Sequence, residues 1–146
     1  MIPEFTVTGL LPPGIHAATW EEVVARYGGT PRRQALLRGL REGLHALHAA
    51  GRQRAYLDGS FITAALNPGD FDVCWEPTGV QAVLLDPVLL EMAPPRLRQK
   101  LRFGGEFLVS NARATPRGIL YIDFFQQDTR TGTPKGIIAL DPGDIQ

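Results

Sequence analysis

The chain has 146 residues, of which 44% are apolar and 21% charged, so it suits one globular domain and excludes wholesale disorder. Fifteen Lys and Arg balance fifteen Asp and Glu, which excludes a uniformly basic nucleic-acid coat protein. The single cysteine excludes an intrachain disulfide framework and a CxxC zinc site, and no run of about 18 apolar residues is present to span a membrane.

The first eighteen residues are predicted to form an extended arm. Three prolines interrupt them, and residues 5–7 are the one short stretch with strand character. The first cation is Arg26, so the basic start of a secretory signal is missing and we expect a cytoplasmic protein. We further expect a single domain over residues 1–146.

Two helices are predicted after the arm. Thr19 and Glu22 form a capping box, a hydroxyl N-cap followed three residues later by glutamate, and Gly28 ends this helix. The second helix covers residues 31–50, begins with proline and ends at Gly51. Its apolar stripe consists of Leu36, Leu37, Leu40, Leu44 and Leu47.

The rest of the chain alternates short strands with helices and turns. Residues 54–57 are predicted to be a buried strand, 58–60 a turn, 61–66 a short helix, 67–69 a second turn and 71–76 an alternating strand. The elements predicted after them are a helix at 80–92 kinked by Pro87, a basic helix at 94–103, the strongest strand at 119–125, a turn at 131–136 and a last strand at 137–140. We therefore expect an α/β (α+β) fold, with a small mixed β-sheet flanked by helices.

Charge is strongly segregated along the chain. Residues 26–54 carry a net charge of +6, residues 55–95 carry −6, and residues 96–117 carry +5. An acidic middle segment between basic ones is compatible with a metal site beside anion-binding groups. It is equally compatible with solvated helix faces separated by a chance gap.

Two acidic residues at the start of a predicted strand point to a divalent cation. Asp70 and Asp72 are two positions apart, so on a strand both carboxylates face the same side. The opposite, buried side is then formed by Phe71, Val73 and Trp75. Two adjacent carboxylates repel each other, and a divalent cation makes the pair tolerable. Their hard oxygen atoms favour Mg²⁺ or Mn²⁺ over zinc.

A glycine and a serine after the preceding strand suit a phosphate group. Gly59 lets the backbone turn sharply and approach a ligand, and the Ser60 hydroxyl together with the amides of a helix start favours an anion. A third carboxylate is expected from Asp123, in the apolar segment 119–125, where a lone charge needs a partner. If that segment lies beside strand 71–76, the three carboxylates form a two-metal clamp for phosphoryl transfer.

Together these motifs resemble the nucleotidyltransferase superfamily, whose fold is that of the DNA polymerase β palm. The motifs that carry the resemblance are Gly59-Ser60, Asp70-x-Asp72 and Asp123. They cover about a fifth of the chain, and the likeness is closest to the short bacterial members, the minimal nucleotidyltransferases.

The resemblance implies a role for each of these residues. Gly59 and Ser60 would hold the β- and γ-phosphates of a nucleoside triphosphate. Asp70 and Asp72 would bind the metal ions, and Asp123 would bind the catalytic metal and help to activate the acceptor. The reaction would transfer a nucleoside monophosphate to a hydroxyl group of a protein, an RNA or a small molecule, with release of pyrophosphate.

One departure from the family pattern keeps other functions open. Many of these enzymes have a basic residue in the helix after Gly-Ser, whereas residues 61–69 contain none. We therefore expect the phosphates to be contacted by Lys135, or by the basic cluster Arg96, Arg98, Lys100 and Arg102. A chain this short leaves little room for an acceptor-binding domain, so we expect a protein partner or self-association to supply one.

Two alternative functions belong to other classes. The domain is either a binding or regulatory protein with little or no catalysis, such as an antitoxin-like partner, or an RNA-binding domain that uses the arginine-rich face of helix 31–50. The missing basic residue after Gly59-Ser60 favours the regulatory protein. The carboxylates disfavour it, because they cost stability when no cation is bound.

Overall fold

A mixed β-sheet of five strands organises the part of the chain that the structure describes, residues 1–51 and 54–145 of a computed structural model. The strands are β1 (Gly14–Ala17), β2 (Ala55–Asp58), β3 (Phe71–Trp75), β4 (Gly105–Val109) and β5 (Gly136–Leu140). Their order across the sheet is β1-β5-β2-β3-β4. β1 is parallel to β5 and β3 is parallel to β4, whereas β2 is antiparallel to both of its neighbours. The predicted fold class is confirmed. Residues 52, 53 and 146, among them Arg52 of the basic segment, lie outside the described residues.

Four α-helices accompany the sheet in the described residues. They are α1 (Trp20–Tyr27), α2 (Pro31–Ala49), α3 (Leu97–Phe103) and α4 (Tyr121–Phe124). The first two begin where the sequence predicts. The Thr19 hydroxyl accepts a hydrogen bond from the amide of Glu22 at 3.1 Å, and the Thr30 hydroxyl accepts one from the amide of Arg33 at 3.1 Å. None of the described helices has both the length and the apolarity to cross a bilayer.

The two faces of the sheet pack against different elements. On one face, the leucine stripe of α2 joins α1, α3 and alternate strand residues in the main core, which includes Phe71, Val73 and Trp75. The opposite face has a smaller core that contains Cys74 and Phe125 and is covered by α4. The predicted alternation of β3 is therefore confirmed, and Cys74 lies on the same face as Asp72.

Two local predictions, in the N-terminal arm and in the segment before α3, are wrong. Residues 5–7 form no strand, and the arm instead contributes β1 at Gly14–Ala17. The segment predicted as a helix at 80–92 forms two short 3₁₀ turns, Ala82–Leu84 and Pro87–Leu90. Proline lacks an amide hydrogen and clashes with the preceding turn, so one continuous helix cannot form across position 87.

The apolar segment at 119–125 is a helix, not a strand. Tyr121, Ile122, Phe124 and Phe125 pack on the smaller core, while Asp123 is exposed. The segment 121–125 has one polar residue between two pairs of apolar residues. This pattern is typical of a helical turn whose polar position faces water. The edge position beside β3 is taken instead by β4, which we did not predict because Gly104 and Gly105 were interpreted only as the end of the preceding helix.

The packing of α2 against α3 depends on a glycine. A β-carbon at Gly39 would lie 1.6 Å from the carbonyl oxygen of Phe103, so the helices approach closely only because this side chain is absent. We expect Gly39→Ala to lower the free energy of unfolding by about 1–3 kcal/mol, as overpacking does in other cores. Gly29→Ala is the matched control, because a β-carbon there meets nothing within 4 Å. Equal urea midpoints for the two variants would contradict this account of the helix contact.

Candidate functional site

The turn after β2 brings the backbone close to β3. Gly59 has φ +93°, a conformation that favours glycine. A β-carbon there would lie 3.0 Å from the amide nitrogen of Asp72. The absence of a side chain at Gly59 therefore allows the turn to sit against the strand that bears the carboxylates. A short 3₁₀ turn, Ser60–Ile62, follows directly.

Ser60 closes the loop that leads to Asp70. Its hydroxyl donates to the carbonyl oxygen of Asp70 at 3.2 Å and accepts from the amide of Gly69 at 3.1 Å. The amide of Phe61 also donates to the Asp70 carbonyl, at 3.2 Å. In this arrangement the Ser60 hydroxyl holds Asp70 beside the Gly59 turn.

A buried arginine on α2 contacts the same loop. Arg33, on α2, donates to the carbonyl oxygens of Phe61 at 2.5 Å, Thr63 at 2.9 Å and Ala65 at 2.7 Å. Burial lowers the pKa of the Arg33 guanidinium, and the nearby Tyr27 opposes this shift. The loop at 61–69 has no basic residue of its own, and Arg33 of α2 stabilises it. The Arg33 guanidinium donates its hydrogen bonds to backbone carbonyl groups.

The acidic residues line up across three strands. Asp58 at the end of β2 is in register with Asp72, and Asp72 is in register with Glu106 on β4. Asp70 directly precedes β3. The side chains of Asp58, Asp72 and Glu106 therefore point to one face of the sheet at the same end. Sequence analysis missed Asp58 and Glu106. The position of Asp58 immediately before Gly59 was a usable signal, whereas Glu106 required knowledge of β4.

The carboxylates raise one another's pKa values. Burial, followed by the charges of Asp70, Asp58 and Glu106, raises the pKa of Asp72 to about 7, against the opposing effect of Lys135. Burial and then Glu106 raise the pKa of Asp70. The pKa of Asp58 is also raised by burial, although Lys135 opposes the shift. Burial and the neighbouring carboxylates thus both disfavour the charged forms of these side chains.

Two groups of cations flank the carboxylates. On one side, Lys135 forms an ion pair with Asp58 whose side chains are only 14% and 8% exposed. On the other side, Glu106 pairs with Arg96 at 2.5 Å and with Lys100 at 3.4 Å. Asp70 and Asp72 lie between the two groups, and neither has an ion pair of its own within the described residues.

A cavity of about 570 Å³ opens on the Lys135 side. Its walls come from the N-terminal arm, the loop after Gly59 and the segment that follows α4. The lining residues that bear on chemistry are Asp58, Gly59, Ser60, Asp72, Arg130 and Lys135. Three of the predicted site residues, Gly59, Ser60 and Lys135, therefore border one cavity together with Asp72. Its volume is within the range of sites for small molecules.

Asp123, expected to be the third carboxylate, lies elsewhere. Because residues 119–125 do not form a strand beside β3, the geometric premise for Asp123 is wrong: it is exposed on α4 and does not line the cavity. Within residues 1–51 and 54–145, no three His, Cys, Asp or Glu side chains converge as metal ligands. The Asp70 and Asp72 carboxylates still suit Mg²⁺, which proteins commonly hold through one or two carboxylates plus substrate phosphates.

Comparison with known protein families adds one finding. A family model matches residues 3–141, nearly the whole chain. The chain belongs to DUF6932, a family of unknown function. No curated protein and no solved structure matches it. The span shared with the DUF6932 family contains both flanking groups of cations, all four carboxylates and the cavity.

Proposed function

We propose that the protein is a nucleotidyltransferase that uses Mg²⁺ or Mn²⁺ to move a nucleoside monophosphate from a nucleoside triphosphate to a hydroxyl group. The observation that carries this proposal is the cavity in which the Gly59 turn, Lys135 and Asp72 meet. A close backbone approach, a cation and a carboxylate are what a metal-bound triphosphate requires. The small mixed sheet is compatible with the resemblance described above.

The donor set supports a hard divalent cation. Asp70 and Asp72 would hold it, and when bound it would neutralise charge on the phosphates. The pKa of Asp72 is raised to about 7, first by burial and then by the charges of Asp70, Asp58 and Glu106. A divalent cation would relieve this repulsion, so the same feature that destabilises the carboxylate pair favours cation binding.

The chain's own residues would act mainly by positioning. The absence of a side chain at Gly59 admits phosphate oxygens close to the backbone, and Lys135, whose ammonium group pairs with Asp58, supplies positive charge to the same cavity. In the reaction, the acceptor oxygen forms a bond to the α-phosphorus while the bond from that phosphorus to the bridging oxygen of pyrophosphate breaks. Orientation and neutralisation of charge account for most of the rate in such transfers.

The decisive experiment is transfer of label from α-³²P nucleoside triphosphates. The purified chain is incubated with each of the four nucleotides, Mg²⁺ or Mn²⁺ and a cell lysate as the acceptor pool. We expect label in a macromolecular or small-molecule product, and a loss of about 100-fold or more in the Asp70→Asn/Asp72→Asn variant. Asp123→Asn is the matched control, because this carboxylate lies outside the cavity. Label that persists in the double variant would contradict the proposal.

A second function is favoured by one observation. Arg33, which contacts the loop after Gly59, donates to three carbonyl groups, and Lys135 is paired with Asp58. A fold with its cations engaged in this way suits a cytoplasmic binding or regulatory protein, such as an antitoxin-like partner. Folded protein that transfers no label, and that captures a defined partner in a pull-down, would favour this function over catalysis.

A further inference from the structure

A second concave surface lies between α2 and α3, in the helical layer on the face of the sheet opposite to the Asp72 side chain. This groove has a volume of about 310 Å³. Its charged lining residues are Arg32, Arg38, Glu42, Lys100 and Arg102. Four cations and one acid make it strongly positive, although the whole chain has a net charge of zero.

The groove joins the two basic segments of the sequence. Arg32 and Arg38 come from the segment at 26–54, whereas Lys100 and Arg102 come from the segment at 96–117. The close approach of α2 to α3 at Gly39 brings the segments together. Segregated charge in the sequence thus becomes one basic surface in the fold.

The cations differ in how far their charge is already neutralised. Arg38 has no ion pair among the residues of the described ranges, and Arg32 donates only to the carbonyl groups of Pro68, at 3.1 Å, and Gly69. Lys100 shares Glu106 with Arg96 and remains 41% exposed. Arg102 is matched by two acids, Glu42 at 3.1 Å and Asp86. Three of the four cations are therefore able to contact an anion.

Two residues of the groove contact residues next to, or among, the carboxylates. Arg32 holds the two carbonyl groups that directly precede Asp70, and Lys100 contacts Glu106, the register partner of Asp72. Gly104, at the groove's inner end, adjoins β4 where Gly105 is in register with Phe71. Asp70 therefore follows directly on a residue that the groove's Arg32 contacts, whereas Asp72 lines the cavity at Gly59.

We propose that this groove binds the sugar–phosphate backbone of a single-stranded RNA and directs its terminal hydroxyl to Asp70 and Asp72. The identity of the acceptor rests on the proposed transferase function, whereas RNA binding by the groove does not. RNA combines in one ligand the phosphates that Arg38 and Lys100 would contact and the hydroxyl that the transfer requires. An acidic protein segment would satisfy the cations, but it offers no reason for their placement beside the carboxylates.

We expect the affinity of the groove for RNA to depend little on base sequence and strongly on salt concentration. Apart from its cations and Glu42, the lining consists of apolar residues and glycines, which leaves nothing to distinguish base edges. Contacts to about three phosphates give a slope of about −2 for log affinity against log salt, since each contact on a single strand contributes about −0.7.

Fluorescence anisotropy of a labelled 20-nucleotide RNA tests the proposal. Arg38→Ala/Lys100→Ala removes two phosphate contacts, so we expect affinity at low salt to fall about tenfold or more and the slope to lose about 1.4. Arg41→Ala is the matched control, because Arg41 is exposed on α2 but does not line the groove. Circular dichroism of each variant verifies folding.

The outcomes separate this inference from the proposed function. RNA binding that weakens in Arg38→Ala/Lys100→Ala but not in Arg41→Ala supports the groove, whether or not label transfer occurs. No RNA binding, or equal binding by both variants, overturns it even if transfer is observed. If Arg38→Ala/Lys100→Ala weakens binding of a polyglutamate peptide but not binding of RNA, the inference is overturned in favour of an acidic protein partner.

Discussion

Asp72→Asn is expected to increase the free energy of unfolding by about 4 kcal/mol at pH 8 in the absence of divalent cations. The pKa of Asp72 is raised from 3.8 to about 7 by burial and by the neighbouring carboxylates. In the unfolded wild-type chain, the Asp72 carboxyl ionises from about pH 4. In the folded protein it keeps its proton until about pH 7. Stability due to this group is therefore lost as pH rises through that window, and asparagine removes the loss because it cannot ionise.

Urea denaturation between pH 4 and pH 8, in buffer with EDTA, measures this effect. The free energies of unfolding of Asp72→Asn and wild type should coincide near pH 4, diverge up to about pH 7 and differ by a constant amount above it. Asp123→Asn is the control, because this exposed carboxylate should leave the curves unchanged within about 0.5 kcal/mol. Addition of Mn²⁺ at pH 8 should stabilise the wild type and not Asp72→Asn. A pH-independent difference between Asp72→Asn and wild type would contradict the electrostatic account.

Lys135→Met is expected to lower the free energy of unfolding by about 3–5 kcal/mol at pH 8. The ion pair of Lys135 with Asp58 is nearly buried, and the charge of Asp72 is close by. Removal of the ammonium group leaves a buried carboxylate without a counter-charge. The loss should become smaller as pH falls, because burial raises the pKa of Asp58 in the folded protein and protonation removes the unpaired charge.

A double-mutant cycle isolates the contribution of this pair. Asp58→Asn/Lys135→Met should recover most of the stability that Lys135→Met loses, because a buried charge no longer stands alone. Arg130→Met is the matched control: Arg130 lines the same cavity, but its side chain is 77% exposed and its pair with Asp128 measures 3.8 Å. Similar losses for Lys135→Met and Arg130→Met would show that burial of the pair does not determine the effect.

Local sequence patterns predicted the structure correctly where it depends on interactions within one helix or strand. The capping threonines before α1 and α2 and the leucine stripe of α2 predicted both helices, because capping and amphipathicity are short-range properties. The alternation of β3 predicted which of its residues face the main core. The turn at Gly59 was predicted from residue types that favour turns.

Predictions failed where the choice between elements depended on packing. The segment at 119–125 is apolar enough for a strand, but the edge beside β3 is occupied by β4 and the segment covers the smaller core as a helix. This difference removes Asp123 from the carboxylates and introduces Glu106. No local pattern distinguishes these outcomes, because they depend on which segments pair across the sheet.

The sequence by itself determined that this protein has two amphipathic helices, a glycine–serine turn before an acidic strand, and segregated charge. These features follow from contacts between residues close together in the chain. Only the tertiary structure decided that Asp58 and Glu106 flank Asp72, that Lys135 reaches Asp58 across 77 positions, and that two basic segments form one groove. Register, burial and charge coupling arise from residues distant in sequence, so they depend on how the strands and helices pack.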